Sequence, residues 1–273
     1  MLADIVSSRV RGSGLGAWVM CALLGAFGCG PNDGGPADAS GVPDADSPAV
    51  DGLRAVDAAP GTDATEMECG VLPITIRDFS VAHPDFETYT GTAAYTGLVE
   101  STLGNDGKPV YAHPGGTPQT TGPTEFDQWY RDVAGVNHTF ELDLELLETS
   151  PGVYEYDNSA FFPIDGQGFG NEGQANNFHF TTEVHTRFRY EGGESFTFTG
   201  DDDFWLFING RLAVDLGGLH PSLSDTIDLD ARAATLGISQ GNTYDMDIFH
   251  AERHTDMSNF RIQTTIDCFV VIL

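Results

Sequence analysis

The stretch Thr199-Gly200-Asp201-Asp202-Asp203-Phe204-Trp205-Leu206-Phe207-Ile208-Asn209-Gly210-Arg211 limits the folds open to this chain more than any other segment. Ahead of the three acids, Phe196 and Phe198 alternate with Thr197 and Thr199, the period of a strand with one buried face. Behind them Phe204 to Ile208 is apolar at every position, so that strand must be covered on both faces. Asn209-Gly210 tolerates positive φ at both central positions of a type I′ turn. Leu212, Val214 and Leu216 then return at alternate positions, which predicts a hairpin with these three side chains on one face.

Acids packed this closely repel one another, and an unpaired charge beside a buried strand is costly. Two readings follow. One is a solvated turn, because Asp is a common turn former. The other is a hard cation, because adjacent carboxylates on a loop supply the oxygen ligands that Ca²⁺ requires.

The rest of the folded sequence reads as strands. Leu72, Ile74 and Ile76 alternate, as do Phe140, Leu142, Leu144 and Leu146 against Glu141, Asp143 and Glu145. Val153, Tyr154 and Tyr156 follow a Pro151-Gly152 turn. Phe178 to Tyr190 gives one or two strands, Ile227 and Leu229 another, and Tyr244 to Ile248 and Phe260 to Ile266 complete the pattern. Ala231 to Leu236 reads as one short helical turn, and Thr90 to Asp127 mostly as loops. Phe161 to Gly173, rich in glycine and aromatics, reads as a binding loop or as an ordinary long connection capping the core. Many short strands, glycine turns and little helix mean an all-β sandwich or barrel.

The N-terminus points to export. Arg9 and Arg11 precede an apolar run from Leu15 to Phe27, and small residues lead up to Cys29: the pattern of a signal peptide over residues 1–28. The run is too short to span a membrane comfortably. Gly28-Cys29 resembles the lipobox of bacterial lipoproteins, with Cys29 as the lipidation site, although Ala26 stands where Leu is usual. Ala26-Phe27-Gly28 also reads as an ordinary cleavage site that would free a secreted product. Residues 29–68 are Asp, Ala, Pro and Gly with a single basic residue, Arg54, a composition that stays disordered and extends as a self-repelling tether. The folded part spans 69–268, leaving 269–273 as a tail. Cys69 and Cys268 bracket it, and in an oxidising compartment they form one disulfide.

Net charge excludes some functions. A formal charge of −29 repels nucleic-acid phosphates and anionic membrane surfaces, so membrane contact would come only through the lipid anchor. Nothing in the sequence points to an oligomer. His250-Ala251-Glu252-Arg253-His254 is not the His-Glu-x-x-His order of a zinc protease, and no Gly-x-Ser-x-Gly elbow is present. A glycoside hydrolase needs two carboxylates at fixed separation, which 41 acids can always offer without specificity. The expectation is a non-enzyme.

The Asp triplet with its Asn-Gly hairpin resembles the signature of the fibro-slime domain, a branch of the PA14 family. The resemblance extends through His83-Pro84-Asp85-Phe86-Glu87, Lys108-Pro109-Val110-Tyr111, Phe126-Asp127-Gln128-Trp129-Tyr130, Asn177-Phe178-His179-Phe180-Thr181, Ala251-Glu252-Arg253-His254 and Ser258-Asn259-Phe260-Arg261. It covers about Arg77 to Cys268 and implies a PA14-like β-sandwich or barrel with long loops. In the sugar-binding members two adjacent aspartates, joined by a cis peptide, hold a Ca²⁺ that coordinates sugar hydroxyls. Those positions fall on Asp201 and Asp202, and a second loop supplies Asp256 and Asn259 as further metal ligands. Asp203, which stands where many relatives have glycine, joins Glu252, Arg253 and His254 as ligand-binding candidates. The implied function is a Ca²⁺-dependent carbohydrate-binding or adhesion module at the cell surface, or secreted, whose partner is a polysaccharide or other glycan. The alternative is a structural matrix or protein-interaction domain with a purely stabilising Ca²⁺; a glycoside hydrolase ranks below both.

Overall fold

The computed structural model describes residues 67–89 and 93–271. In chain order the elements begin β1 (Met67–Cys69), β2 (Val71–Phe79), α1 (Pro123–Phe126), β3 (Asn137–Glu145), β4 (Leu147–Ser150), β5 (Val153–Asn158) and β6 (Phe180–Tyr190). They continue β7 (Ser195–Gly200), β8 (Asp203–Ile208), β9 (Arg211–Leu216), β10 (Leu223–Asp228), α2 (Leu229–Leu236), β11 (Asn242–Glu252), β12 (Phe260–Thr264) and β13 (Cys268–Val271).

These strands make two antiparallel sheets. The larger runs β1-β13-β6-β11-β8-β9, with β2 pairing both β6 and β3; the smaller runs β10-β7-β12-β5-β4. The all-β expectation holds. Between the sheets lies a core that includes Ile76, Phe180, Phe198, Phe204, Leu206 and Phe260. A second cluster, with Phe86, Phe126, Trp129, Trp205, Phe207 and Phe249, covers the outer face of the larger sheet. The second cluster explains why β8 is apolar throughout: Phe204 and Leu206 face one core, Trp205 and Phe207 the other. Residues of segment 80–136, which includes the stretch Thr90 to Asp127 read mostly as loops, supply the outer layer, with α1 as their one short helix among the described residues.

The Asn209-Gly210 turn forms as expected, with φ of 53° and 67° and Ile208 opposite Arg211. The return strand departs from the expectation. A bulge between Leu206 and Phe207 sets Leu206 opposite Val214 but Phe207 opposite Leu212. Leu212 therefore packs on the outer cluster, while Ala213, Val214 and Leu216 join the inter-sheet core. Leu229 opens α2 instead of extending β10, because Asp228 caps the helix by accepting from the Ala231 amide, and Gly237 ends it at φ 70°. Residues 269–271 are no tail: Phe269 is 1% exposed, and β13 pairs with both β1 and β6. The first strand likewise begins at Met67, inside the stretch read as tether.

Cys69 and Cys268 are disulfide-bonded across β1 and β13 at a sequence separation of 199, as expected. The signal peptide, residues 29–66 of the tether and Cys29 lie outside the described residues. Among the described residues no helix is long and apolar enough to cross a membrane.

Candidate functional site

Three connections pass from one sheet to the other at the same end of the sandwich. Gly200-Asp201-Asp202 joins β7 of the smaller sheet to β8 of the larger, residues 217–222 join β9 to β10, and residues 253–259 join β11 to β12. They share an end because Phe204 pairs with Leu216 and Asp203 with Ala251. Hydrogen bonds tie them together: the Asp201 amide donates to the Asn259 carbonyl and the Asp202 amide to the His220 carbonyl, both at 3.4 Å. A Cβ at Gly200 would lie 2.5 Å from the Asn259 carbonyl oxygen, so only glycine fits there. Asp202 adopts φ 56°, a left-handed conformation uncommon outside glycine.

The three acids have separate tasks. Asp203 is fully buried, accepts from the Gly218 amide at 2.6 Å, and pairs with Arg253 Nε at 2.6 Å. Arg253, also fully buried, donates from Nη1 to the carbonyls of Asp85 and Gln119 and lies 4.8 Å over the Trp129 ring. These contacts tie the outer layer to the larger sheet and commit the guanidinium to Asp203 and to the two carbonyls. Asp201 accepts from the Asn259 backbone amide at 2.5 Å and from its side-chain Nδ2 at 2.8 Å. Asp202 accepts from the Arg253 backbone amide at 3.0 Å.

Asp201 and Asp202 open onto a cavity of about 110 Å³. The 217–222 connection contributes Leu219, His220 and Pro221 to its wall, and the 253–259 connection contributes His254, Asp256 and Met257. Burial pushes the Asp202 carboxyl up to about 7 despite the nearby Arg253, and the charges of Asp203 and Asp201 add to the rise. Behind the acids, Glu252 is fully buried and neither of its oxygens has a hydrogen-bond partner. Burial, reinforced by the charges of Asp202 and Asp201, raises its carboxyl well above the usual range. His250, two residues earlier on β11, has both ring nitrogens unpartnered among Phe161, Phe180, Phe198 and Phe260, and burial lowers it to about 3.

Acidic groups are thus concentrated where burial opposes their ionisation. The donor set of Asp201 and Asp202 is all oxygen, as a hard cation requires, and the orphaned Glu252 oxygens add to the unmet demand. Among the described residues no three His, Cys, Asp or Glu side chains converge closely enough to hold an ion by themselves. A cation here would be held by the two aspartates together with backbone, solvent or ligand oxygens, which Ca²⁺ with its 6–8 ligands readily accepts.

The predicted residues are brought together with one division. Asp201, Asp202, His254 and Asp256 reach the cavity. Asn259 lies against Asp201 as a hydrogen-bond donor, while Asp203, Glu252 and Arg253 are buried behind. Sequence reasoning missed Leu219, His220, Pro221 and Met257 in the wall, and nothing in their spacing marked them. The glycine-rich segment 161–173 is an ordered connection: Asp78 accepts from the Phe169 amide, Phe161 enters the core, and Phe169 is 36% exposed.

Residues 137–268 match the PA14 domain family, and the observed architecture is the PA14-like β-sandwich that the sequence resemblance implied. Protein psiR of Dictyostelium discoideum is 40% identical over 201 residues, 67% of this chain and 20% of psiR. Protein psiC of the same organism is 39% identical over 214 residues, 72% of this chain and 41% of psiC. The chain therefore spans between a fifth and two fifths of these relatives. Among solved structures, a subtype-switched Epithelial Adhesin 9 A domain from Candida glabrata, in complex with beta-lactose, aligns at 12% identity and a TM-score of 0.34, over 72% of this chain and 80% of that one.

Proposed function

We propose that this PA14-like sandwich is a Ca²⁺-dependent carbohydrate-binding or adhesion module, with the cavity between the three sheet-crossing connections as its binding site. The observation that carries the reading is the pair Asp201 and Asp202, buried yet facing the cavity, with the nearest guanidinium committed to Asp203. A Ca²⁺ bound there would offer its remaining coordination positions to vicinal hydroxyls of a glycan. The chain's own residues prepare the place. Asn259 fixes the Asp201 carboxylate, the Arg253 amide fixes that of Asp202, and Leu219, Pro221 and Met257 give the cavity an apolar wall suited to the carbon face of a sugar ring.

The deciding experiment is a glycan array probed with Ca²⁺, with chelator, and with Asp202→Ala. Binding lost in both of the latter supports the proposal; binding that survives both rejects it. A Ca²⁺-dependent rise in melting temperature with no glycan bound on any array would instead favour a structural or protein-interaction domain, a reading encouraged by how tightly hydrogen bonds already knit the three connections. Release of reducing sugar from polysaccharide would mark a glycoside hydrolase.

Placement in the fibro-slime branch belongs to the same proposal, as do export through residues 1–28 and a lipid on Cys29, and these last two are tested by the mass and detergent partitioning of the mature protein. Cys29→Ser should free a lipidated chain from the membrane.

A further inference from the structure

The 253–259 connection supplies three of the eight residues that line the cavity, and it is gripped from outside by a residue far away in sequence. Glu87 lies between β2 and α1. Its amide donates to the Arg253 carbonyl at 3.0 Å, its Oε1 accepts from the Thr255 amide at 2.7 Å, and its Oε2 lies 3.7 Å from His254 Nε2. Three successive residues of one connection are therefore held by one side chain and its backbone. Glu87 does this at φ 58°, a conformation that L residues adopt only when their surroundings enforce it. Its carboxylate also meets His179, 3% exposed, whose Nε2 lies 3.4 Å from Glu87 Oε1. On its far side His179 Nδ1 faces Glu172 at 3.5 Å, and Glu172 too has positive φ, 45°.

We propose that Glu87 is a positioning residue of the binding site, setting the backbone of residues 253–255 and the ring of His254 so that His254 and Asp256 present themselves to the cavity. The inference rests on the cavity being the binding site. Its logic is that of an outer partner that orients an inner ligand: Glu87 is not among the residues lining the cavity, but its contacts with Arg253, His254 and Thr255 all fall on a connection that does line it.

Glu87→Ala removes both acceptor oxygens. Glu87→Gln keeps one oxygen for the Thr255 amide and loses the charge facing His254 and His179. Both variants and the wild type would be compared by hydrogen exchange resolved to residues 253–258, by Ca²⁺ titration calorimetry, and by urea unfolding in chelator. In Glu87→Ala, exchange across 253–258 accelerates and Ca²⁺ affinity falls roughly tenfold, as for loss of an outer partner at a metal site; Glu87→Gln recovers much of the exchange protection. Exchange in Glu87→Ala that is unchanged, or that rises equally across the whole domain with the loss of urea stability, overturns the proposal. So does wild-type Ca²⁺ affinity in the alanine variant. Should the wild type bind no Ca²⁺, the proposed function fails at that point, and the exchange measurement still decides whether Glu87 sets the connection.

Discussion

Asp203→Asn tests the division of labour within the acidic triplet. The substitution keeps an oxygen to accept from Gly218 but removes the charge facing Arg253 Nε at 2.6 Å. Both partners of this pair are 0% exposed, so the guanidinium left behind has no water to turn to. Removing one member of a buried pair costs about 3–5 kcal/mol, chiefly through the stranded charge. Arg253 retains the Asp85 and Gln119 carbonyls and the Trp129 face, which places the loss toward the lower end of that range. For a domain of this size about 3 kcal/mol corresponds to a fall of roughly 6–12 °C in melting temperature. The assay is urea and thermal unfolding in excess chelator, so that any cation at Asp201 and Asp202 is absent. Arg253→Met should recover part of the loss when combined with Asp203→Leu, because the double variant buries no charge. If Asp203→Asn costs less than about 1 kcal/mol, the pair is not the buried anchor inferred from its burial and geometry.

Three further outcomes follow from the same physics. Asp202→Asn in chelator at pH 8 should raise stability, since burial lifts this carboxyl to about 7 and the penalty of ionising it is absent below about pH 4 and complete above 7; a lowered urea midpoint would count against this. Burial alone would lower His185, but Asp247 and Glu183 override it and raise the ring to about 9; its stabilisation is therefore full below about pH 6.5 and lost as pH rises through 9. With the side chain 33% exposed, this amounts to about 1–2 kcal/mol, so His185→Gln should flatten the alkaline decline, and an unchanged slope between pH 6.5 and 9 refutes it. Replacing Cys69 and Cys268 by alanine opens a loop of 199 residues and should cost up to about 5 kcal/mol on the chain-entropy account; equal urea midpoints for oxidised and alanine proteins would refute it.

What could be read from the sequence was what local pattern controls. The Asn-Gly turn, the doubly covered β8 and the pairing of Cys69 with Cys268 each depend on neighbours in the chain or on elimination among few candidates. The face of Leu212 could not be read, because a single extra residue at the bulge reverses every later side chain and no residue type announces it. The site shows the same limit. Its acids were conspicuous, but their tasks depend on partners 50 or more residues away: Asp203 is structural only because Arg253 points at it, and Asp201 is fixed only because Asn259 does.

Topology determines why those partners meet. β7, β10 and β12 lie in one sheet and β8, β9 and β11 in the other, so the chain crosses between sheets at Asp201, at His220 and at His254. Each crossing leaves backbone groups without ladder partners, and the crossings satisfy one another through the Asp201–Asn259 and Asp202–His220 bonds. Asp201 and Asp202 at this junction are largely buried, at 4% and 6% exposure, while still lining the cavity. The same geometry that gives the sandwich an edge thus gathers Asp201 and Asp202 there beside an opening to solvent, which is why the proposed cation is sought at this edge and not elsewhere on the sandwich.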